Sequence, residues 1–351
     1  MIYDSDMKTL PKADLDMVAK YFEVNNINLE KASFLISGIT GFVGSWLLDS
    51  LIHINKEFGL KIEITGITRN ASKVDAWINL ASEKNVKIIE SDIRVHKEIV
   101  STFTHIVHAA TPTTTATRAG DLGNVFEASV IGAQNLLEIA KKQDVPPIFL
   151  HTSSGAIYKK LPSSLDSIPL DWPRQDLAAS DEIDSEYARA KIETEKLIEV
   201  ATIEGAVKGI NARLFSFMGP RVPLQEHYSI GNFMYSGMYE DKIKLSVNPA
   251  TVRSYEYAAD MASALIYILG LGQPGPFHVG SDKGHELLHW AELVGKVFSK
   301  PVNNLNADLG KKPTTIPYIP EHDQRIPRGL GESMLIDEQV AKWRDWLKEN
   351  H

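Results

Sequence analysis

Apolar residues recur along this chain in two rhythms. Short apolar runs, SFLIS (33–37), IEITGIT (62–68), VKIIES (86–91), HIVHAA (105–110), PIFLHTS (147–153) and INARLFS (210–216), read as buried strands. Between them, apolar positions fall at helical spacing over 42–57, 73–82, 122–142 and 184–204. Strands alternating with helices predict right-handed βαβ units and a parallel sheet covered on both faces, an α/β doubly wound fold. A short amphipathic helix over 12–25, with Leu15, Val18 and Phe22 on one side, precedes the first strand.

The rhythm breaks after Gly219-Pro220. Helices are expected at 231–239, 258–270 and 286–299, with a short strand PFHVGS (276–281) and a tail containing several prolines and glycines. The domain reading is an N-terminal helical extension (1–30), a Rossmann-type nucleotide-binding domain (31–219 with parts of 250–285), and a smaller C-terminal α/β substrate lobe drawn mostly from 220–351.

The first strand-to-helix turn carries SGITGFVG (37–44), with Gly38, Gly41 and Gly44 evenly spaced. Glycine permits a tight turn and close approach of backbone N–H groups, and the helix N-terminus adds partial positive charge. Gly38, Gly41, Phe42, Val43 and Gly44 are therefore assigned to a cofactor pyrophosphate. An acid at the second strand end binds a ribose 2′-hydroxyl, whereas an Arg accommodates a 2′-phosphate. The sequence there is Thr68-Arg69-Asn70, so Arg69 favours NADP(H), with NAD(H) the alternative. Asp92 and Ile93 follow the third strand and are placed at the adenine, where the Asp accepts from the amino group and the Ile covers the ring. Ala109, Ala110 and Thr111 close the fourth strand, where small residues let backbone approach the cofactor.

After the fifth strand stands Ser153-Ser154, and further on Tyr187 and Lys191 at i, i+4 on a helix. An ammonium beside a phenol favours the phenolate, which makes Tyr187 a usable general acid or base. A serine hydroxyl can polarise the same substrate oxygen.

In this order, the motifs resemble those of extended short-chain dehydrogenase/reductases of the NAD-dependent epimerase/dehydratase type, which act on nucleotide sugars. The resemblance runs from about residue 32 to 300. It implies Ser154, Tyr187 and Lys191 as the catalytic set, with Tyr187 and Lys191 also touching the cofactor. It implies Thr111, Ser153, Ser154, Ser216, Asn232 and Arg253 as substrate contacts, the last two toward a diphosphate. The N-terminal helix with HAAT, SSGAIY, GPRVPLQEHYSIGNF and RSYEYAADMA resembles a bacterial subgroup named dTDP-glucose 4,6-dehydratase-like, which includes reductases of dTDP-4-keto-6-deoxy sugars. Homodimers formed through helices 122–142 and 184–204 are common in the family.

Departures from the family pattern narrow the chemistry. True 4,6-dehydratases place Asp-Glu after the catalytic Ser/Thr, and UDP-glucuronate decarboxylases usually carry a Glu there; this chain has Gly155-Ala156. The family's N-V-x-G reads Ser129-Val130-Ile131-Gly132, the glycine usual after VY is Lys159, and the Asn of F-N-V-x-G-P is Ser216. The leading expectation is a 4-ketoreductase of a nucleotide-linked deoxysugar. The alternatives are a 4-epimerase with bound NAD, a 4,6-dehydratase, and a catalytically idle cofactor-binding sensor.

Composition adds exclusions. The 351 residues carry a net charge of −8, which argues against nucleic acid as a partner. No cysteine is present, so thiolate nucleophiles, disulfides and Cys-ligated zinc are excluded, and no metal site is expected. Without a signal-like N-terminus or a long apolar run, the expectation is a cytoplasmic chain without a membrane partner.

Overall fold

In a computed structural model of the protein, the described residues are 8–95, 99–112, 122–162, 164–177, 186–224, 228–306 and 318–350. In chain order the elements are α1 (Lys12–Val24), β1 (Ser33–Ser37), α2 (Phe42–Phe58), β2 (Glu63–Thr68), α3 (Ser72–Asp75), β3 (Val86–Glu90), β4 (His105–His108), α4 (Leu122–Ala140), β5 (Ile148–Ser154), α5 (Glu186–Ile203) and β6 (Lys208–Leu214). There follow β7 (Phe217–Met218), α6 (Ser229–Tyr239), β8 (Ile243–Leu245), β9 (Val252–Ser254), β10 (Glu256–Tyr257), α7 (Ala258–Leu271), β11 (Gly275–Val279), β12 (Gly284–Glu286), α8 (Leu287–Phe298), β13 (Val302–Asn304) and α9 (Ile336–Asn350).

Seven strands form one sheet in the order β3-β2-β1-β4-β5-β6-β11. The ladders joining β3 through β6 are all parallel. The winding direction reverses between β1 and β4, which opens a crevice at their carboxyl ends, the place where doubly wound sheets take ligands. The α/β, Rossmann-like class expected from the alternation is thus the class found.

The chain divides into two compact units. The first comprises Met1–Lys159, Pro173–Leu214 and Ala262–Phe277 and holds the large sheet. Leu35, Ile106 and Phe149 are register partners on successive strands. They pack with Leu136 and Leu137 of α4 and Ile198 of α5. Side chains two residues apart share a face of a sheet. Two residues further along, the same face carries Ser37, His108, His151 and Asn211, again in register, so the apolar row becomes polar as the strands approach their carboxyl ends. Helix α1 packs in this unit through Phe22 on Phe58 and Tyr21 on Tyr267, ring centroids 5.4 and 6.4 Å apart.

The second unit comprises Lys160–Trp172, Phe215–Met261 and His278–His351. Three two-strand ladders, β7/β10, β9/β12 and β8/β13, accompany α6, α8 and α9. Phe233, Tyr257, Trp290 and Trp343 are among its large buried side chains.

Two expectations need correction and one needs completing. The helix expected over 73–82 is only the single turn α3. Trp77 instead turns inward, its indole N–H donating to Asp49 Oδ1 at 2.8 Å, and the chain continues in turns. The fourth strand ends at His108 rather than at residue 110. The tail, described only by its prolines and glycines, also holds a helix: α9 forms over residues 336–350 and buries Val340, Trp343, Trp346 and Leu347. That apolar spacing was legible but was masked by the prolines and glycines before it. Among the described residues, no helix is long and apolar enough to cross a membrane.

Candidate active site

The cradle at the end of β1 is built by close backbone approach. Gly38 adopts φ +70°, and a Cβ there would lie 2.6 Å from the Ala109 carbonyl carbon and 2.7 Å from Ala110 Cα. A Cβ on Gly44 would collide with the Gly38 carbonyl oxygen. The first glycine thus seats β4's exit, and the third seats α2 against the turn. Gly41 is the N-cap of α2, and no side chain caps that end. Phe42, Val43 and Gly44 form the first turn, whose N–H groups lack intrahelical acceptors by geometry. This is the arrangement a pyrophosphate needs, so the residues present fit a dinucleotide.

At the end of β2, Thr68 Oγ1 lies 3.0 Å from Thr40 Oγ1 of the glycine turn. Arg69 is exposed, and its charge acts on Asp92. The Asp92 carboxylate is also gripped by Arg94, whose Nη2 donates at 2.7 Å and Nε at 3.1 Å. These hydrogen bonds hold Asp92 below its ordinary pKa. Arg94 reaches on to Glu127 at 3.1 Å. Ile93 and Asp92 line a cleft with Ile67, Ile89 and Asn135.

Ser154 ends β5 and caps a 3₁₀ turn over Gly155–Ile157, its Oγ accepting from Ala156 N at 3.1 Å. Ser153 alternates to the other face of the strand. It is 1% exposed, and its hydroxyl has no hydrogen-bond partner. Both serines are buried, and strand alternation turns their side chains to opposite faces of β5.

Tyr187 and Lys191 lie on one face of α5, with the ammonium 5.5 Å from the Tyr187 ring centroid. Lys191 is 1% exposed. Its Nζ donates to the Thr152 carbonyl at 2.6 Å and to Thr111 Oγ1 at 3.0 Å. Burial pulls Lys191 down to about 7, with the negative charge of Glu195 opposing the fall. The structure therefore brings Thr111, Tyr187 and Lys191 to the strand that ends in Ser154.

In the second unit, Ser216 follows β6 and its carbonyl accepts from Glu256 N at 3.0 Å. Asn232 is exposed on α6. Arg253 on β9 is partly buried, which lowers its pKa, and its Nη1 donates to the Val252 carbonyl at 2.7 Å. Among the described residues no carboxylate pairs with it.

Two supporting networks escaped the sequence reading. Glu195, one turn beyond Lys191 and fully buried, accepts from Arg213 Nε at 3.0 Å and Nη2 at 2.9 Å, and from Arg174 Nη1 at 3.1 Å. Arg213 also donates to Tyr158 Oη at 2.8 Å. His108 stacks on His151 with centroids 5.6 Å apart, and burial lowers His108 to about 4. His108 is thus neutral: Nε2–H donates to the Ser129 carbonyl at 2.9 Å, and Nδ1 accepts from Ser37 Oγ at 2.9 Å. The spacing Tyr187, Lys191, Glu195 was a visible signal for the first network; the second needed register.

A glycine cradle at the first strand end and a Tyr-x-x-x-Lys helix beside a Ser-bearing strand stand together on a doubly wound sheet, a class of fold that takes nucleotides at its carboxyl edge. Residues 34–280 match the NAD dependent epimerase/dehydratase family, and the chain belongs to it. UDP-glucuronic acid decarboxylase 1 of Arabidopsis thaliana is 25% identical over 295 residues, covering 82% of this chain and 62% of the relative. The Xenopus tropicalis protein of the same name is 23% identical over 269 residues, covering 76% of this chain and 60% of the relative. The chain thus spans about three-fifths of these relatives' length. Among solved structures, UDP-glucose 4-epimerase of Thermotoga maritima with UDP-glucose aligns at TM-score 0.72 and 19% identity, covering 90% of this chain and 99% of that one. dTDP-glucose 4,6-dehydratase of Bacillus anthracis in complex with NAD aligns at 0.71 and 15%, covering 91% and 97%. At these identities the structural likeness speaks for the fold alone.

Proposed function

We propose that the chain is an NADPH-dependent 4-ketoreductase of a nucleotide-linked deoxysugar. The observation that carries this reading is the Ser154, Tyr187 and Lys191 set with Gly155-Ala156, rather than carboxylates, after the serine. When bound, the reduced nicotinamide supplies hydride to sugar C4. Tyr187 gives its phenolic proton to the carbonyl oxygen, and Ser154 Oγ holds that oxygen in place. The Lys191 ammonium stabilises the tyrosinate left behind, which then regains a proton from solvent. Elimination or decarboxylation would call for a further acid–base group, and the position after Ser154 offers none. Arg69, with no acid at the end of β2, supports NADPH, and Asn232 and Arg253 serve the diphosphate. A homodimer through α4 and α5 belongs to the same reading, and Val200 and Ile203 on α5 are 54% and 86% exposed.

The second reading, a 4-epimerase with bound NAD, is favoured by the NAD complexes among the fold's neighbours. Incubation with dTDP-, UDP-, GDP- and CDP-linked 4-keto sugars separates the two. A reductase consumes NADPH mole for mole with sugar, and Tyr187→Phe loses turnover by a factor of about 10²–10⁴ while still binding cofactor. Epimer formation without net cofactor change, or an active Tyr187→Phe, overturns the proposal.

A further inference from the structure

Lys191 is held in a dry site, yet its proposed role requires it charged. Its second acceptor, Thr111 Oγ1, begins a chain of hydroxyls. Thr111 Oγ1 donates to Ser129 Oγ at 3.4 Å, the longest link; Ser129 Oγ lies 3.1 Å from Thr194 Oγ1; and Thr194 Oγ1 donates to the Ala190 carbonyl at 2.8 Å. A hydroxyl has one proton to give. The last link ends on a carbonyl, which only accepts, so Thr194 spends its proton there and must accept from Ser129. Ser129 then accepts from Thr111, and Thr111 from the ammonium. Every proton in the chain points away from Lys191, and every oxygen lone pair in use points back toward it. Hydrogen bonds aligned head to tail polarise one another.

Ser129 and Thr194 are both fully buried, and Ser129 is fixed from the other side, where its carbonyl accepts from His108 Nε2. The titratable groups around Lys191 are Tyr187 and Glu195 on α5, His108 on β4 and His151 on β5. Glu195 favours the ammonium, but its two oxygens are already shared by Arg213 and Arg174. His108 and His151 offer no negative charge. What α4 contributes is the Ser129 hydroxyl.

We propose that Thr111, Ser129 and Thr194 form a one-way acceptor chain that keeps the Lys191 ammonium protonated, with Ser129 and Thr194 as positioning residues remote from substrate. This rests on the role given to Lys191 under the proposed function. It also assigns a purpose to Ser129, the residue that replaces the family's asparagine.

The test reads the lysine directly. Free protein labelled with [13Cε]lysine is titrated by NMR, with the Lys191 signal identified by its loss in Lys191→Met. Ser129→Ala and Thr194→Val are expected to lower the Lys191 pKa by roughly half a unit to one unit, and Thr194→Ser to restore it. The alkaline limb of turnover moves to lower pH by the same amount in the first two variants and stays in place in the third. An unchanged Lys191 pKa in Ser129→Ala and Thr194→Val, or a fall in Thr194→Ser equal to that in Thr194→Val, overturns the chain. Failure of the ketoreductase reading would show as absent NADPH-linked turnover in the wild type and would leave the titration intact.

Discussion

The burial of Lys191 leads to a stability prediction that does not depend on substrate. The perturbation is Lys191→Met, which removes the charge and keeps most of the buried stem. The lysine pKa falls from its ordinary 10.5 to about 7 because burial penalises the ammonium. Between those values the unfolded chain binds more protons than the folded one, so stability rises with pH across that window and the penalty is fully present below it. At one pKa unit per about 1.4 kcal/mol, the wild type gains about 2 kcal/mol relative to Lys191→Met between pH 7 and pH 9. His108, lowered to about 4, and His151, held well below its usual value by burial, stay neutral throughout and do not disturb the difference. Urea unfolding of both proteins, without cofactor or nucleotide sugar, at pH 6, 7, 8 and 9 measures it. The expected difference curve is flat toward pH 6 and climbs above pH 7. Parallel curves from pH 7 to pH 9 would mean that Lys191 titrates in the fold as it does in water, and the reasoning from burial would fail.

Two further outcomes follow from the same geometry. Arg69→Asp restores an acid at the end of β2, so the ratio of kcat/KM with NADPH to that with NADH should fall by at least about tenfold, the equivalent of one lost charge-assisted contact; an unchanged ratio would make Arg69 a surface residue only. Glu195→Gln leaves Arg213, only 7% exposed, without its carboxylate, and should cost about 3–5 kcal/mol in unfolding free energy, so a loss under 1 kcal/mol would show the network to be dispensable.

The inner strands between Ser33 and Leu214 were readable because a strand covered on both faces is largely apolar, and the intervening helices must be apolar on one side. Gly38 was readable as a turn residue, and Tyr187 with Lys191 as a shared helix face, because both follow from local geometry. The Trp77 segment was misread because its helical periodicity yielded to one buried hydrogen bond with Asp49.

By itself, the sequence determined the parallel sheet, the cradle, and the pairing of Tyr187 with Lys191, all set by periodicities of two and 3.6 residues and by glycine's lack of a Cβ. Tertiary structure alone decided what surrounds the lysine. Thr111, Ser129, Thr152 and Thr194 are scattered over the chain, and only strand register and the packing of α4 with α5 bring them to one ammonium. The same holds for Ser37, His108, His151 and Asn211, which form one row only because four strands pair in one particular register. The pKa of Lys191 belongs to that assembly, because desolvation is a property of the packed interior and not of the residue.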